Sequence, residues 1–264
     1  MTGNRPLALV TGASSGIGTA LARELARHGH DLVLTARRTA PMEALAAELR
    51  VQGAAVTVIA ADLGKPGAAA SLAAELGRRQ LVVDVLVNNA GLGAGGPFHE
   101  SDPARVADIL QVNVVALTEL TRALLPGMVG RASGRVLFVA STASFQPGPS
   151  MAVYCASKAY VLSFGEAIGY ELRGTGVTVT TLCPGPTHTE FTDGANTGKS
   201  KLFTGPMANV MSSDEVARQG YRALAAGKRV HVVGLSNKLV VFSGRFSPRA
   251  LSLPVTSAIL KPGK

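Results

Sequence analysis

Leu7-Ala8-Leu9-Val10-Thr11-Gly12-Ala13-Ser14-Ser15-Gly16-Ile17-Gly18 joins a short apolar run to a glycine-rich turn, and the turn opens a helical pattern that continues to His28. A continuous apolar run of strand length reads as a strand covered on both faces. Glycines let the backbone approach a bulky anion and let helix and strand pack closely. The first turn of the helix presents free N–H groups, which favour a phosphate. At this junction Gly12, Ser14, Ser15, Gly16, Ile17 and Gly18 read as the phosphate cradle of a dinucleotide site. The plainer reading is a tight turn with a packing role alone.

Outward from this turn the same alternation repeats. Strand-like runs follow at Asp31 to Thr35, Ala55 to Ala61, Val82 to Val87, Arg135 to Ala140, Val177 to Leu182 and Arg229 to Val233. Helical patterns separate them at Pro41 to Gln52, Gly67 to Arg79, Pro103 to Met128, Met151 to Arg173 and Ser213 to Ala226. Regular alternation of this kind predicts an α/β, Rossmann-type, doubly wound fold: a mostly parallel seven-stranded sheet with helices on both faces. With no linker or repeat, residues 1–264 read as a single domain. Residues 185–212 are the least regular and are expected to form a substrate lid, and residues 235–264 are an apolar, basic tail.

The formal net charge is +9, but no basic run is interleaved with aromatics, which argues against nucleic acid as partner. The two cysteines, Cys155 and Cys183, and the five histidines show no metal-ligand spacing, so no metal is expected. The opening residues lack the pattern of a secretory leader, and no apolar stretch looks long enough to cross a bilayer. A reduced, cytoplasmic setting is the expectation.

The end of the second strand bears on the nucleotide. Thr35-Ala36-Arg37-Arg38 has Ala36 where an NAD binder usually carries an acid for the ribose 2′-OH, and two arginines follow. Arginine suits a 2′-phosphate by forked hydrogen bonding, so NADP(H) is favoured over NAD(H).

Tyr154 and Lys158, four residues apart, share one helix face. A phenol ordinarily loses its proton near pH 10, and bringing it to 7 takes roughly 4 kcal/mol. An ammonium about 4 Å away supplies about that much at an effective dielectric of about 20. The pair is therefore expected to make a working acid, although a packed ring beside a snorkelling lysine has the same spacing.

Joined, these segments resemble the short-chain dehydrogenase/reductase family in its single-domain form, over about Leu7 to Val233. Asp62-Leu63 looks like the family's adenine contact, and Asn88-Asn89-Ala90-Gly91 matches its Asn-Asn-Ala-Gly element. Pro184-Gly185, with Thr187 and Thr189, is similar to the turn at the nicotinamide amide. Ser141, thirteen residues before Tyr154, stands where the family places its catalytic serine, and Asn113 where it keeps an asparagine that holds a relay water. The resemblance implies a catalytic set of Asn113, Ser141, Tyr154 and Lys158. It places Tyr154 and Lys158 on the cofactor too, with Asn89, Ala90 and Gly91.

The implied activity is an NADP(H)-dependent carbonyl reductase or alcohol dehydrogenase acting on a small-molecule carbonyl or alcohol, in a homodimer or homotetramer. The alternative is a sensor that binds NADP(H) without turnover. Leu92, Phe98, Phe145, Met151, Phe191, Phe203 and Met207 fall where a cleft lining is expected and suggest a lipophilic substrate. A basic amphipathic tail would suit a membrane surface, but Pro248, Pro254 and Pro262 are expected to break its helix. Packing over the cleft or on a second subunit is the expectation for the tail.

Overall fold

The structure, a computed structural model, describes residues 5–191, 210–244 and 246–260. The strands β1 (Leu7–Thr11), β2 (Asp31–Ala36), β3 (Val56–Ala60), β4 (Val85–Asn88), β5 (Gly134–Val139), β6 (Val177–Cys183) and β7 (Val230–Val232) form a seven-stranded sheet. Its order is β3-β2-β1-β4-β5-β6-β7, and every pairing is parallel. The strand order reverses between β1 and β4. A crevice opens there at the carboxyl ends of the strands, where folds of this kind bind their ligands.

The helices are α1 (Gly16–Arg27), α2 (Thr39–Val51), α3 (Ala68–Arg78), α4 (Pro103–Leu110), α5 (Leu117–Gly130), α6 (Ala152–Glu171), α7 (Ser213–Ala225), α8 (Leu235–Gly244) and α9 (Arg249–Leu260). Alternate strand residues face opposite sides, and each side is covered. Ala8 and Val10 of β1 pack with Leu21 and Leu25 of α1 and Leu45 of α2. Leu9, on the other face, joins Leu72 of α3, Leu120 of α5 and Val161 of α6. Burial on both faces is why the strands are apolar throughout rather than alternating.

Three features depart from the sequence reading. The run expected as one helix from Pro103 to Met128 is interrupted by a π-helical turn, Gln111–Ala116, centred on Asn113. A π turn inserts a residue into the helical ladder without changing the apolar pattern, so periodicity does not show it. The stretch Pro103–Gly130 is also, by length and composition, apolar enough to cross a membrane. It serves here as a core helix, with Ile109, Leu117, Leu120 and Met128 buried. Finally, Pro254 lies inside α9 instead of ending it. Thr256, one turn from Leu260, is buried, and that packing outweighs the lost hydrogen bond.

Gly165 sets the distance between α6 and the sheet. A Cβ there would lie 2.3 Å from Thr181 Oγ1 and 3.1 Å from Phe138 Cδ2. Gly165→Val should therefore destabilise the fold by about 1–3 kcal/mol. Chemical denaturation reads this directly, and an unchanged midpoint would mean that α6 can move away freely.

Candidate active site

A cavity of about 840 Å³ runs along the carboxyl edge of the sheet. The turn after β1 supplies Gly12, Ser14, Ser15, Gly16 and Ile17, and the end of β2 supplies Thr35 to Arg38. Asp62 and Leu63 follow β3, and Asn89, Ala90 and Gly91 follow β4. Ser141 follows β5, α6 projects Tyr154 and Lys158, and Pro184, Gly185, Thr187 and Thr189 follow β6. Parallel strands bring these separate segments to one edge, which is how residues far apart in sequence meet.

The glycine turn fits a pyrophosphate. Gly12 and Gly16 have φ of +67° and +57°, the left-handed region that glycine enters without cost. A Cβ on Gly12 would lie 2.9 Å from the Ala90 Cα, and one on Gly18 2.2 Å from the Gly12 carbonyl oxygen. Gly18 thus stands beneath the turn rather than on the cavity wall, a packing glycine. The first turn of α1 carries no acid, and no side chain caps it, so its positive end faces the cavity. Thr11 fixes the turn from below: its Oγ1 donates to the Val87 carbonyl and accepts from the Asn89 and Ala90 amides. Asn89 Nδ2 donates to the Thr11 carbonyl at 2.9 Å.

At the far end of β2, Arg37 and Arg38 are exposed on the cavity rim, and Ala36 offers no carboxylate. Arg38 Nη2 pairs with Glu190 Oε2 at 2.6 Å. Both groups are exposed, so the pair is open to competition from a phosphate. Asp62 accepts from the Gly64 amide at 3.1 Å, which holds its carboxylate beside the cavity.

The other end holds the hydroxyls and the lysine. Ser141, at the N-cap of a short 3-10 helix (Thr142–Phe145), accepts from the Ala143 amide and hydrogen-bonds the Tyr154 phenol. Lys158 is buried, and its Nζ donates to the Val139 carbonyl at 2.8 Å. Its ammonium lies 5.9 Å from the Tyr154 ring centroid. Against expectation, Lys158 does not bring the phenol towards 7. Burial pushes the Tyr154 hydroxyl up to about 12, with Ser141 opposing, and pushes the Lys158 ammonium down to about 8. Loss of water disfavours each charge, and the lysine spends a donor on Val139. At neutral pH the phenol therefore holds its proton.

Asn113 is not on the cavity wall. Its amide makes three hydrogen bonds: Oδ1 accepts from the Leu92 amide at 2.8 Å, and Nδ2 donates to the Leu92 carbonyl and to Ser157 Oγ, each at 2.9 Å. The side chain therefore braces the loop after β4 against α6, with both Nδ2 hydrogens committed and one acceptor position left on Oδ1. Asn88 ties β4 to α5 through Thr121.

Of the expected substrate contacts, Leu92, Met151 and Phe191 line the cavity, and the Phe191 ring packs on Tyr154 at 5.2 Å. Phe98 and Phe145 do not; both sit in short 3-10 turns that point them outward, and both are exposed. Phe203 and Met207 lie outside the described residues, as does most of the expected lid. Its ends are held together by Thr187 and Met211, which form a parallel bridge. The sequence reading missed Glu190, Gln146, Thr256 and Leu260, all on the wall. The last two come from α9, so the tail does reach over the cleft. Cys155 also lines it, its thiol pushed up to about 11 by burial and so protonated.

Residues 6–200 match the family described as short chain dehydrogenase. An NADP-dependent 3-hydroxy acid dehydrogenase of Salmonella typhi is 37% identical over 180 residues, 68% of this chain and 71% of that protein. A short-chain dehydrogenase from Sphingobium yanoikuyae in complex with NADPH has 33% identity and a TM-score of 0.81, covering 94% of this chain and 95% of its own. A short chain dehydrogenase/reductase from Burkholderia phymatum in complex with NAD has 26% identity and a TM-score of 0.82, covering 99% and 98%.

Proposed function

The chain belongs to the short-chain dehydrogenase family, and we propose that within it the protein is an NADP(H)-dependent reductase of lipophilic carbonyl compounds. The observation that carries this reading is one cavity with a glycine phosphate cradle at one end and Ser141, Tyr154 and Lys158 at the other. Bound there, NADP(H) would supply the hydride chemistry. The chain supplies the rest. The Ser141 hydroxyl donates to the substrate carbonyl oxygen and steadies the charge that grows on it. Tyr154 gives that oxygen its proton as general acid. A phenol raised to about 12 is protonated at neutral pH, the form a general acid needs. Lys158 holds the cofactor ribose, and Asn113 acts as a positioning residue through Leu92 and Ser157.

Arg37 and Arg38 support NADP(H) over NAD(H), the arginine fork meeting the 2′-phosphate in place of Glu190. Leu92, Met151, Phe191 and Leu260 on the wall support a lipophilic substrate, such as an aromatic ketone or a 3-oxoacyl chain. The reading includes a homo-oligomer paired through α4 to α6, where Leu110, Val115 and Tyr160 are exposed. It also includes a reducing, cytoplasmic setting, in keeping with the two free buried cysteines.

Cofactor titration tests the selectivity. NADPH should bind more tightly than NADH, and Ala36→Asp with Arg37→Ala should reverse the order. Losing a charged hydrogen bond while adding a repelling carboxylate should weaken NADPH roughly 10- to 150-fold. Equal affinities in the unaltered protein would sink the assignment. Consumption of NADPH against a panel of ketones, aldehydes and 3-oxoacyl compounds tests the substrate class.

A further inference from the structure

The net charge of the protein is concentrated in one part of it. Residues 1–215 contain 17 cations and 17 acids, and residues 216–264 contain 9 cations and no acid. The same part exposes apolar side chains. No residue of α8 is buried, and Leu235, Leu239, Val240 and Phe242 of that helix are exposed. Phe246, in the turn to α9, is 74% exposed, and Val255 of α9 is 59% exposed. Phe242 and Phe246 pack edge to face, with centroids 5.3 Å apart. Lys238 of α8 is exposed, and along the sequence Arg245 and Arg249 fall among these apolar residues while Lys261 and Lys264 follow them.

Burial of its own residues does not explain the placement of α8. It is held by Asn237, which donates to the Val233 carbonyl at 2.7 Å and abuts Gly185. The remaining apolar surface faces outward. Exposed aromatic and aliphatic side chains mixed with cations suit a surface that is apolar beneath and anionic above.

We propose that α8 and α9 form a docking surface for an anionic lipid bilayer, lying in its interface without crossing it. A second copy of the chain fits less well. Pairing residues 216–264 with the same segment of another copy would set a stretch of 9 cations and no acid against its like, and residues 1–215 carry no net negative charge to offer instead. The lipid face is continuous with the cavity. Thr256 and Leu260 of α9 line the cavity, and a Cβ on Gly148 would lie 3.1 Å from Leu260 Cδ1. Docking therefore sets the cavity mouth beside the membrane, where a lipophilic compound partitions.

Flotation of the full chain with phosphatidylcholine vesicles, with and without phosphatidylglycerol, tests this. The protein should float with the anionic vesicles and not with the neutral ones, and high salt should release it. Phe242→Asp with Phe246→Asp should abolish flotation while leaving NADPH affinity and Tm unchanged. Lys238→Glu with Arg249→Glu should lower binding at least about 30-fold, since each cation at an anionic surface contributes about a fivefold preference. Absence of flotation, or equal flotation of the phenylalanine variant, overturns the proposal. A dimer that the same variant dissociates, with no vesicle binding, overturns it in favour of a second copy.

Discussion

Tyr154→Phe should lower kcat for carbonyl reduction about 10²- to 10⁴-fold, the usual contribution of a positioned general acid. The Phe ring keeps the contact with Phe191 at 5.2 Å, and the glycine cradle lies at the other end of the cavity. NADPH affinity should therefore hardly change. The loss should appear in kcat and kcat/KM equally, as expected when an interaction made only in the transition state is removed. Wild-type turnover in this variant would mean that another group protonates the product.

Lys158→Met should damage both functions. The ammonium is buried beside Gly91, where a Cβ would come within 3.3 Å of Nζ, and it lies 5.9 Å from the Tyr154 ring centroid. Losing a charged hydrogen bond to the cofactor should weaken NADPH binding roughly 10- to 150-fold. A pH signature accompanies this. Burial lowers the lysine to about 8, so the free protein carries the charge below that pH and loses it above. NADPH affinity should fall as pH rises through 8, and the limb should be missing in the Met variant. Calorimetric titration on either side of 8 reads both effects. An identical pH profile in the two proteins would remove Lys158 from the cofactor site.

The fold was legible because sheet strands covered on both faces must be apolar throughout, and helices between them must carry a 3.6-residue stripe. The site was legible where chemistry demands a residue type: Gly12 and Gly16 at positive φ, and Ser141, Tyr154 and Lys158 around one end of the cavity. What escaped was set by tertiary environment. The π turn at Asn113 leaves the apolar pattern intact, so its amide's commitment to Leu92 and Ser157 could not be foreseen. The shifts at Tyr154 and Lys158 depend on how much water each loses, which spacing along a helix does not encode. Glu190 is 152 positions from Arg38, and only the fold brings them together. The tail's helix survived its proline because Thr256 and Leu260 are packed at the cavity.

The central claim is that this cavity passes a hydride from NADPH to a carbonyl carbon. Incubation with NADPH deuterated at the transferable nicotinamide position, together with the ketone and 3-oxoacyl panel, tests it most directly by mass spectrometry of the products. At least one product alcohol should carry a single deuterium on the carbinol carbon, and none should form with Tyr154→Phe in the same time. NADPH that binds tightly while every carbonyl compound is recovered unlabelled and unreduced would contradict the claim and identify a nucleotide sensor instead.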